Sequence, residues 1–248
     1  AELGLSATPK RENDSGFEDF IRPKLGQIIY NYNYEDAFRD GVISSFDVTN
    51  IRTYFNPEEK ANYQALSKRI AIELGKKAPS HKNVERLLIA RSSISKNSVK
   101  RIPAAVKVLK EHVGKKIIVF TESIEQASLI DFVLKKYGLL SVCYHSKIEK
   151  NIRFLNLEQF YKGYYNILIT CTALDEGLNV PDIEVALIVS QTMSGRQRIQ
   201  RIGRALRTGK NMAHIYTIYI TDEEKDLLMK EFGALNRISN FRWIKTQE

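Results

Sequence analysis

Short apolar runs alternate with amphipathic segments along the chain from residue 114 onward. The amphipathic segments have the period of helices, and in the first of them Ser123 is the expected cap and Gly138 the expected stop. Because apolar, β-branched strands separated by helices are typical of a parallel sheet covered on both faces, the pattern predicts an α/β domain with ligands at the carboxyl ends of the strands. The apolar runs are "KKIIVF", "LSVCYH", "YNILIT", "VALIVS" and "AHIYTIYI".

Residues 57–113 show helical spacing instead. The segment "NPEEKANYQALSKRIAIELGKK" has Asn56 as N-cap, Pro57 at the first helical position and Gly75 near its end. Two more helices are predicted in "KNVERLLIARSSIS" and in "SVKRIPAAVKVLKEHVG", the latter beginning near Pro103. Residues 16–56 mix aromatic pieces with turn residues and are interpreted as a linker with connecting strands.

Positive charge is concentrated in this helical part. The chain has 38 Lys and Arg against 29 Asp and Glu, a net charge of +9, yet residues 60–116 alone contain 15 basic and 3 acidic residues. A basic block of this kind indicates a polyanionic partner, most commonly nucleic acid. The alternative is a set of helices with lysine-rich solvated faces.

Composition excludes several classes of protein. Hydrophobic residues make up 43% of the chain, which can fill a sizeable core, and no apolar run has the length of a membrane span. Cys143 and Cys171 lie in apolar surroundings and, with four scattered histidines, form neither a disulfide framework nor a metal site. We expect a cytoplasmic, nucleoid-associated or nuclear protein.

The segment "RQRIQRIGRALRTGK" at 196–210 has three interpretations: a solvated helix face, a nucleic-acid patch, or arginines that bind phosphate. As a helix it places Arg196, Gln200, Arg204 and Arg207 on one face without intervening acids. Like charges one turn apart repel, so a partner outside the helix must offset them. Phosphate suits guanidinium, which is a planar fork of donors.

Five segments in order resemble the motifs of superfamily 2 helicases. "LGLSATP", "KIIVFTES", "HSKIEKNIRFLNLEQFYKG", "NILITCTALDEGLNVPD" and "QRIGRALR" are similar to motifs III, IV, IVa, V and VI, and the closest match is to XPB-like DExH DNA helicases. The resemblance implies a RecA-like three-layer domain preceded by a linker and a helical insertion. Its divisions would be 1–15, a remnant of the first RecA-like domain; 16–56, the linker; 57–113, the basic helical region; and 114–248, the second RecA-like domain.

The resemblance also implies site residues. Arg204 and Arg207 look like arginine fingers that reach ATP held by a first RecA-like domain, and Gln200 resembles a nucleotide-sensing residue. Gly177 and Asn179 fall in motif V and would contribute to the nucleotide site, although most relatives carry Asp at the position of Asn179. Nucleic acid would be contacted by residues in motifs III to V, which are Ser6, Thr8, Thr121, His145, Ser146, Thr170 and Thr172.

Parts of an ATPase are missing from the sequence. "GRALRTGKN" has five residues between its glycines and Asn after the lysine, so it is not a P-loop, and "LDEGL" is not a DExH box. We therefore expect ATP and Mg²⁺ to be used by a longer parent enzyme, with DNA as its partner and RNA as an alternative. The isolated chain is expected to bind neither ATP nor Mg²⁺ and to be inactive.

Other functions are compatible with the sequence. The motor part of a restriction enzyme or an RNA helicase would share motifs IV to VI, and a non-catalytic nucleic-acid-binding module would keep the fold. A dinucleotide-dependent oxidoreductase is disfavoured because no GxGxxG follows a strand.

Overall fold

The computed structural model describes residues 2–4, 15–32, 34–41, 46–171, 183–190, 213–235 and 239–246. A π-helical turn at Phe17–Ile21 leads into α1 (Arg22–Leu25), and α2 (Tyr34–Arg39) follows. The later helices are α3 (Pro57–Leu74), α4 (His81–Lys96), α5 (Arg101–Glu111), α6 (Ile124–Lys136), α7 (Lys150–Tyr161) and α8 (Asp222–Leu235). In this part of the chain, no helix has both the length and the apolar character needed to cross a membrane.

Seven strands form one parallel sheet. They are β1 (Phe46–Arg52), β2 (Ile117–Thr121), β3 (Ser141–Tyr144), β4 (Ile167–Cys171), β5 (Val185–Ile188), β6 (Ala213–Tyr219) and β7 (Ser239–Lys245). Their order across the sheet is β3-β4-β2-β5-β6-β1-β7, and every neighbouring pair is parallel. All strands therefore point their carboxyl ends toward the same edge, where an α/β sheet binds ligands.

Helices cover both faces of the sheet. On one face α5 and α6 enclose a core that includes Leu109, Ile130 and Val119, all of them buried. On the other face α7 contributes Leu157 and Phe160, and the side chain of Phe160 is fully buried. The predicted parallel sheet between helical layers is thus confirmed.

Local signals predicted the helix ends closely. The α3 helix begins after Asn56, whose side chain accepts a hydrogen bond from the backbone N–H of Glu59, and it ends at Gly75. Ser123 caps α6 in the same way, and Gly138 follows α6 with φ of 70°, a conformation that glycine adopts without strain. The α5 helix begins at Arg101, so Pro103 lies within its first turn, where no N–H is needed for helical bonding.

Two strands come from parts of the chain whose local pattern says little about their place in the sheet. The β1 strand, within the segment interpreted as a linker, lies inside the sheet between β6 and β7. The β7 strand, at the C-terminal end, was not predicted and forms an edge. The division of the chain at residues 113 and 114 stays a prediction, and α5 packs with α6 and β6 on the sheet.

Candidate nucleic-acid interface

Four of the predicted site residues lie at or beside the carboxyl ends of three neighbouring strands. Thr121 ends β2, Thr170 is the penultimate residue of β4, and His145 and Ser146 directly follow β3. Because β3, β4 and β2 are adjacent and parallel, the structure brings these residues to one edge of the sheet. Their side chains differ in exposure, and that decides what each can contact.

Thr121 and Thr170 are buried. The hydroxyl of Thr121 lies 3.1 Å from the carbonyl oxygen of Thr170 and 3.2 Å from that of Ser123, so it ties β2 to β4. The hydroxyl of Thr170 has no hydrogen-bond partner in the part of the chain that the structure describes. Direct contact of either threonine with nucleic acid stays a prediction, and the bond of Thr121 gives it a structural role as well.

His145 and Ser146 form the turn after β3. His145 is only 7% exposed, and within the described residues its Nδ1 atom has no partner. Burial lowers the pKa of His145, and the nearby charges of Lys147 and Arg153 lower it further, so the imidazole is neutral at neutral pH. Ser146 is exposed. The turn therefore offers the exposed hydroxyl of Ser146 to a ligand, while the neutral ring of His145 is buried behind it.

Arg153 lies beside this turn on α7. Its guanidinium carbon lies 5.4 Å from the centroid of the Tyr144 ring, the spacing of a cation–π contact, and its backbone N–H bonds to the carbonyl of Glu149. The ring contact supports a structural role.

The basic region forms an antiparallel hairpin of α3 and α4. Arg91 lies 3.5 Å from the hydroxyl of Ser67, and the amide of Asn83 bonds to Glu73 at 2.9 Å, so the start of one helix faces the end of the other. Five cations on this hairpin are exposed and form neither an ion pair nor a side-chain hydrogen bond within the described residues. We call them the hairpin cations, and they are Lys60, Lys68, Arg69, Lys77 and Lys82.

Other cations of the basic region are already neutralised. Lys76 pairs with Glu73 at 2.6 Å, Arg91 with Glu223 at 3.5 Å, and Lys96 with Glu122 at 3.5 Å. The cations of the block therefore differ in whether they are free to bind a polyanion. Within the described part of the hairpin, a polyanion can bind the hairpin cations without breaking an existing ion pair.

Tyr63 is packed within the protein rather than presented to a base. Its ring centroid lies 5.0 Å from that of Phe55 and 5.3 Å from the guanidinium carbon of Arg91. Its hydroxyl lies 3.3 Å from the carboxylate of Glu223 on α8. Tyr63 is therefore a packing residue.

Sequence reasoning missed one residue of the basic block. Arg101 is one of the 15 basic residues of the block, yet its side chain is fully buried and its guanidinium bonds to Glu224 at 2.6 Å. Burial alone would raise the pKa of Glu224, but Arg101 and hydrogen bonds from Ser95 and the N–H of Ile220 hold that pKa below its usual value. No local pattern distinguishes Arg101 from its neighbour Lys100, which is exposed.

The other predicted site residues lie outside the described residues, so their placement stays a prediction. They are Ser6, Thr8, Thr172, Gly177, Asn179, Gln200, Arg204 and Arg207. Among the described residues, no group of three or more His, Cys, Asp or Glu side chains could hold a metal ion.

Part of the chain matches a known protein family. The family model of the helicase conserved C-terminal domain matches residues 100–209. This part of the chain is similar to the helicase conserved C-terminal domain. The match begins at the start of α5 and covers the strands β2 to β5, whose carboxyl ends carry the candidate residues.

Similar proteins include DNA and RNA motors. The chain is 29% identical over 224 residues to the DNA 3'-5' translocase XPB2 of Sulfurisphaera tokodaii, covering 83% of this chain and 49% of that protein. It is 26% identical over 132 residues to the ATP-dependent rRNA helicase rrp3 of Neosartorya fischeri, covering 53% of this chain and 28% of that protein. The chain thus spans at most about half the length of these relatives.

A solved structure supports the fold of this chain. The SWI2/SNF2 ATPase core of Sulfolobus solfataricus in complex with dsDNA superposes with a TM-score of 0.60 at 14% identity, over 77% of this chain and 45% of that one. The predicted RecA-like, three-layer fold is confirmed.

Proposed function

We propose that this chain is the second motor domain of an ATP-dependent DNA helicase or translocase and that it grips the nucleic-acid backbone. The observation that carries the proposal is the set of unpaired hairpin cations on α3 and α4. The base of that hairpin lies at the carboxyl edge of the sheet, where Lys96 pairs with Glu122 just after β2. The hairpin and the turn at His145 would then contact a duplex from the same edge.

Contacts of this kind would be independent of sequence. Lysine and arginine neutralise phosphates and release counterions, whereas reading a base edge requires side chains placed in a groove with defined geometry. The hairpin cations are long and exposed, which suits the first task. The similarity over most of this chain to the DNA translocase XPB2 favours DNA as the polyanion.

Hydrolysis of ATP is proposed for the whole protein. Arg204 and Arg207 would be the arginine fingers of that protein, and Gln200 would sense the nucleotide, with Gly177 and Asn179 in the neighbouring motif. A triphosphate with Mg²⁺ supplies the phosphoryl group whose developing negative charge such arginines stabilise. These roles rest on the resemblance of "QRIGRALR" and "NILITCTALDEGLNVPD" to motifs VI and V.

Two alternatives keep the same fold. The similarity to an rRNA helicase favours RNA as a second candidate substrate. The motor of a restriction enzyme and a non-catalytic binding module are also compatible with a domain that grips a backbone. DNA and RNA duplexes of the same sequence, compared in one binding assay, distinguish the two polyanions.

The test is fluorescence anisotropy of a labelled DNA duplex titrated with this chain over a range of salt concentrations. We expect the affinity to fall steeply with salt. Removing three hairpin cations together, with Lys68→Ala, Arg69→Ala and Lys82→Ala, should weaken binding about tenfold or more and flatten the slope by about 3, because each phosphate contact contributes about one unit.

A matched control removes the same charge elsewhere. Lys107, Lys110 and Lys136 are exposed on α5 and α6, away from the hairpin. Their replacement by Ala should leave both affinity and salt slope nearly unchanged. Equal losses in the two triple variants would show a diffuse charge effect and contradict a hairpin interface, and a salt-independent affinity would contradict backbone binding altogether.

A further inference from the structure

Two glutamates, Glu59 and Glu224, hold the junction between α4 and α5, residues 95–101. Each of them caps the start of its own helix and also accepts hydrogen bonds from the junction. Glu59 closes the capping box of α3 with Asn56, and its carboxylate also accepts from the Ser98 hydroxyl at 2.7 Å and from the Val99 N–H at 2.9 Å. Each bond fixes the junction to the start of α3. The start of α3 is therefore hydrogen-bonded to the residues that follow α4, at the base of the hairpin.

Glu224 holds the junction in the same manner from α8. Its backbone N–H bonds to the Thr221 hydroxyl at 3.2 Å while its carboxylate accepts from the Ile220 N–H at 2.7 Å, which caps the helix. The same carboxylate accepts from the Ser95 hydroxyl and binds Arg101. One glutamate thus joins α8 to the end of α4 and the start of α5.

Arg101 connects the α4–α5 junction to two strands of the sheet, and we call this set of bonds with Glu224 the joint. Its Nη1 donates to the carbonyl oxygens of Val189 at 2.8 Å and Ile218 at 2.6 Å, and its Nε donates to that of Ser95 at 2.8 Å. Every guanidinium nitrogen is therefore used, in a site without exposure to solvent. A buried, fully bonded charge of this kind resists displacement because breaking any one bond leaves polar groups desolvated.

Gln126 makes a second connection beside the first. Its side-chain N–H₂ donates to the Lys96 carbonyl at 3.2 Å, and its oxygen accepts from the Ser190 hydroxyl at 3.0 Å and from the Glu122 N–H at 3.3 Å. The end of α4 is thereby bonded to the residues just after β5 and β2. Gln126 is 6% exposed, so these bonds are shielded from water.

The two connections converge on the exit of β5. Val189 and Ser190 follow that strand directly, and in the sequence they lead into residues 191–212, which contain Gln200, Arg204 and Arg207. The hairpin cations lie on the helices at the other side of the same joint. Hydrogen bonds of Arg101 and Gln126 therefore connect the end of α4, at the base of the hairpin, to Val189 and Ser190, which precede residues 191–212 in the sequence.

We infer that Arg101, with Gln126, is a positioning residue that couples nucleic-acid binding on the α3–α4 hairpin to the arginine-rich segment 191–212. This inference rests on the proposed function, since it needs a polyanion on the hairpin. Arg101 is buried and does not itself contact the nucleic acid. The joint works by holding the end of α4 and the exit of β5 as one unit.

The test compares amide hydrogen exchange in peptides from residues 191–212 with and without a DNA duplex. In the wild-type chain, saturating DNA should slow exchange there about tenfold. Gln126→Met keeps the length of the side chain and removes all three bonds, and Arg101→Lys keeps the charge but loses the fork. Both variants should bind DNA within about twofold of wild type and lose the DNA-induced slowing.

A merely structural role would raise exchange equally with and without DNA, so the difference between the two conditions is the decisive readout. Gln159→Met, the same change on α7, is the matched control and should keep the wild-type difference. If Arg101→Lys fails to fold, Gln126→Met decides alone, because it leaves no charge unpaired.

Each remaining outcome has a defined meaning. Variants that bind DNA and keep the full slowing in 191–212 would overturn the coupling and leave the proposed function intact, as would a wild-type chain that binds DNA without any slowing. A wild-type chain that shows no anisotropy change with DNA would overturn the proposed function, and the coupling with it, before exchange is measured.

Discussion

The two ends of the parallel sheet both bury polar side chains, and they differ in how the charge is handled. At the carboxyl end, Arg101 remains a cation and is matched by Glu224 at 2.6 Å. Near the amino end of β6, His214 and Tyr216 stack at 4.1 Å between ring centroids, and His112 bonds to the Tyr216 hydroxyl at 2.8 Å. One end is held by a paired charge and the other by neutral rings.

Burial makes the amino-end histidines neutral. It lowers the pKa of His214 to about 4, against a smaller opposing effect of Asp47, and it also lowers the pKa of His112. The Nε2 atom of His214 lies 2.7 Å from the Thr49 hydroxyl, so the neutral ring still has a partner. An imidazole can lose its proton when water is withdrawn, which removes the cost of burying a charge.

A guanidinium has no such option. Burial of the Arg101 cation therefore requires a counter-charge and acceptors for its other donors. The comparison shows why the carboxyl end needs the elaborate joint with Glu224 and the strand carbonyls while the amino end does not. It also predicts that the two ends respond very differently to substitution.

The largest effect is expected from Arg101→Met. Removing the cation leaves Glu224 buried without its partner, and breaking a buried pair in this way costs about 3 to 5 kcal/mol. The free energy of unfolding, measured by urea denaturation of the chain, should fall by that amount. Adding Glu224→Gln to the same chain removes the unpaired charge and should restore part of the loss, whereas no recovery in the double variant would mean that packing around Arg101 matters more than charge.

Much of this architecture could be predicted from local sequence. Asn56, Ser123 and Gly138 act within one turn of the chain, so the residues around them are enough to predict their roles as helix caps and stop. The alternation of apolar strands with helices predicted the parallel sheet for the same reason, since periodicity is a property of neighbouring residues.

Features that depend on distant pairing could not be predicted in this way. The place of β1 between β6 and β7 requires partners more than 160 residues away, and such partners leave no mark on local spacing. Likewise, the burial of Arg101 is decided by Val189, Ile218 and Glu224, all distant in sequence. In the candidate site, the motifs indicated Thr121 and Thr170 as contact residues, and the structure shows both to be buried while the hairpin cations are exposed.

A smaller effect is expected from acidification. The unfolded chain protonates His214 near its ordinary pKa of 6.5, while the folded chain resists protonation down to about 4. The unfolded state therefore binds more protons in that window, and stability falls as pH drops through it. Between about pH 7.5 and about pH 5 the free energy of unfolding should fall by about 2 kcal/mol.

The carboxylate of Glu224 does not interfere in this window. The pKa of Glu224 is held below its ordinary value of 4.5, so the stability it contributes is lost only at lower pH. Urea denaturation at several pH values measures the change, and His214→Gln should remove most of it. A pH dependence that survives in this variant would assign the effect to His112 or His145, whose pKa values burial also lowers.

The smallest effect should come from replacing the neutral pair at the amino end. In His112→Phe with Tyr216→Phe, both partners of the 2.8 Å bond become apolar rings of similar shape. Removing a hydrogen bond together with both of its groups is close to neutral, so the cost should be within about 1 kcal/mol by urea denaturation. His112→Phe alone should cost more than the pair, because it leaves the Tyr216 hydroxyl with only the weaker contact to His214 at 3.4 Å. If the double variant lost as much stability as Arg101→Met, the amino end would depend on polar bonding as strongly as the carboxyl end, and the contrast between a paired charge and neutral rings would be wrong.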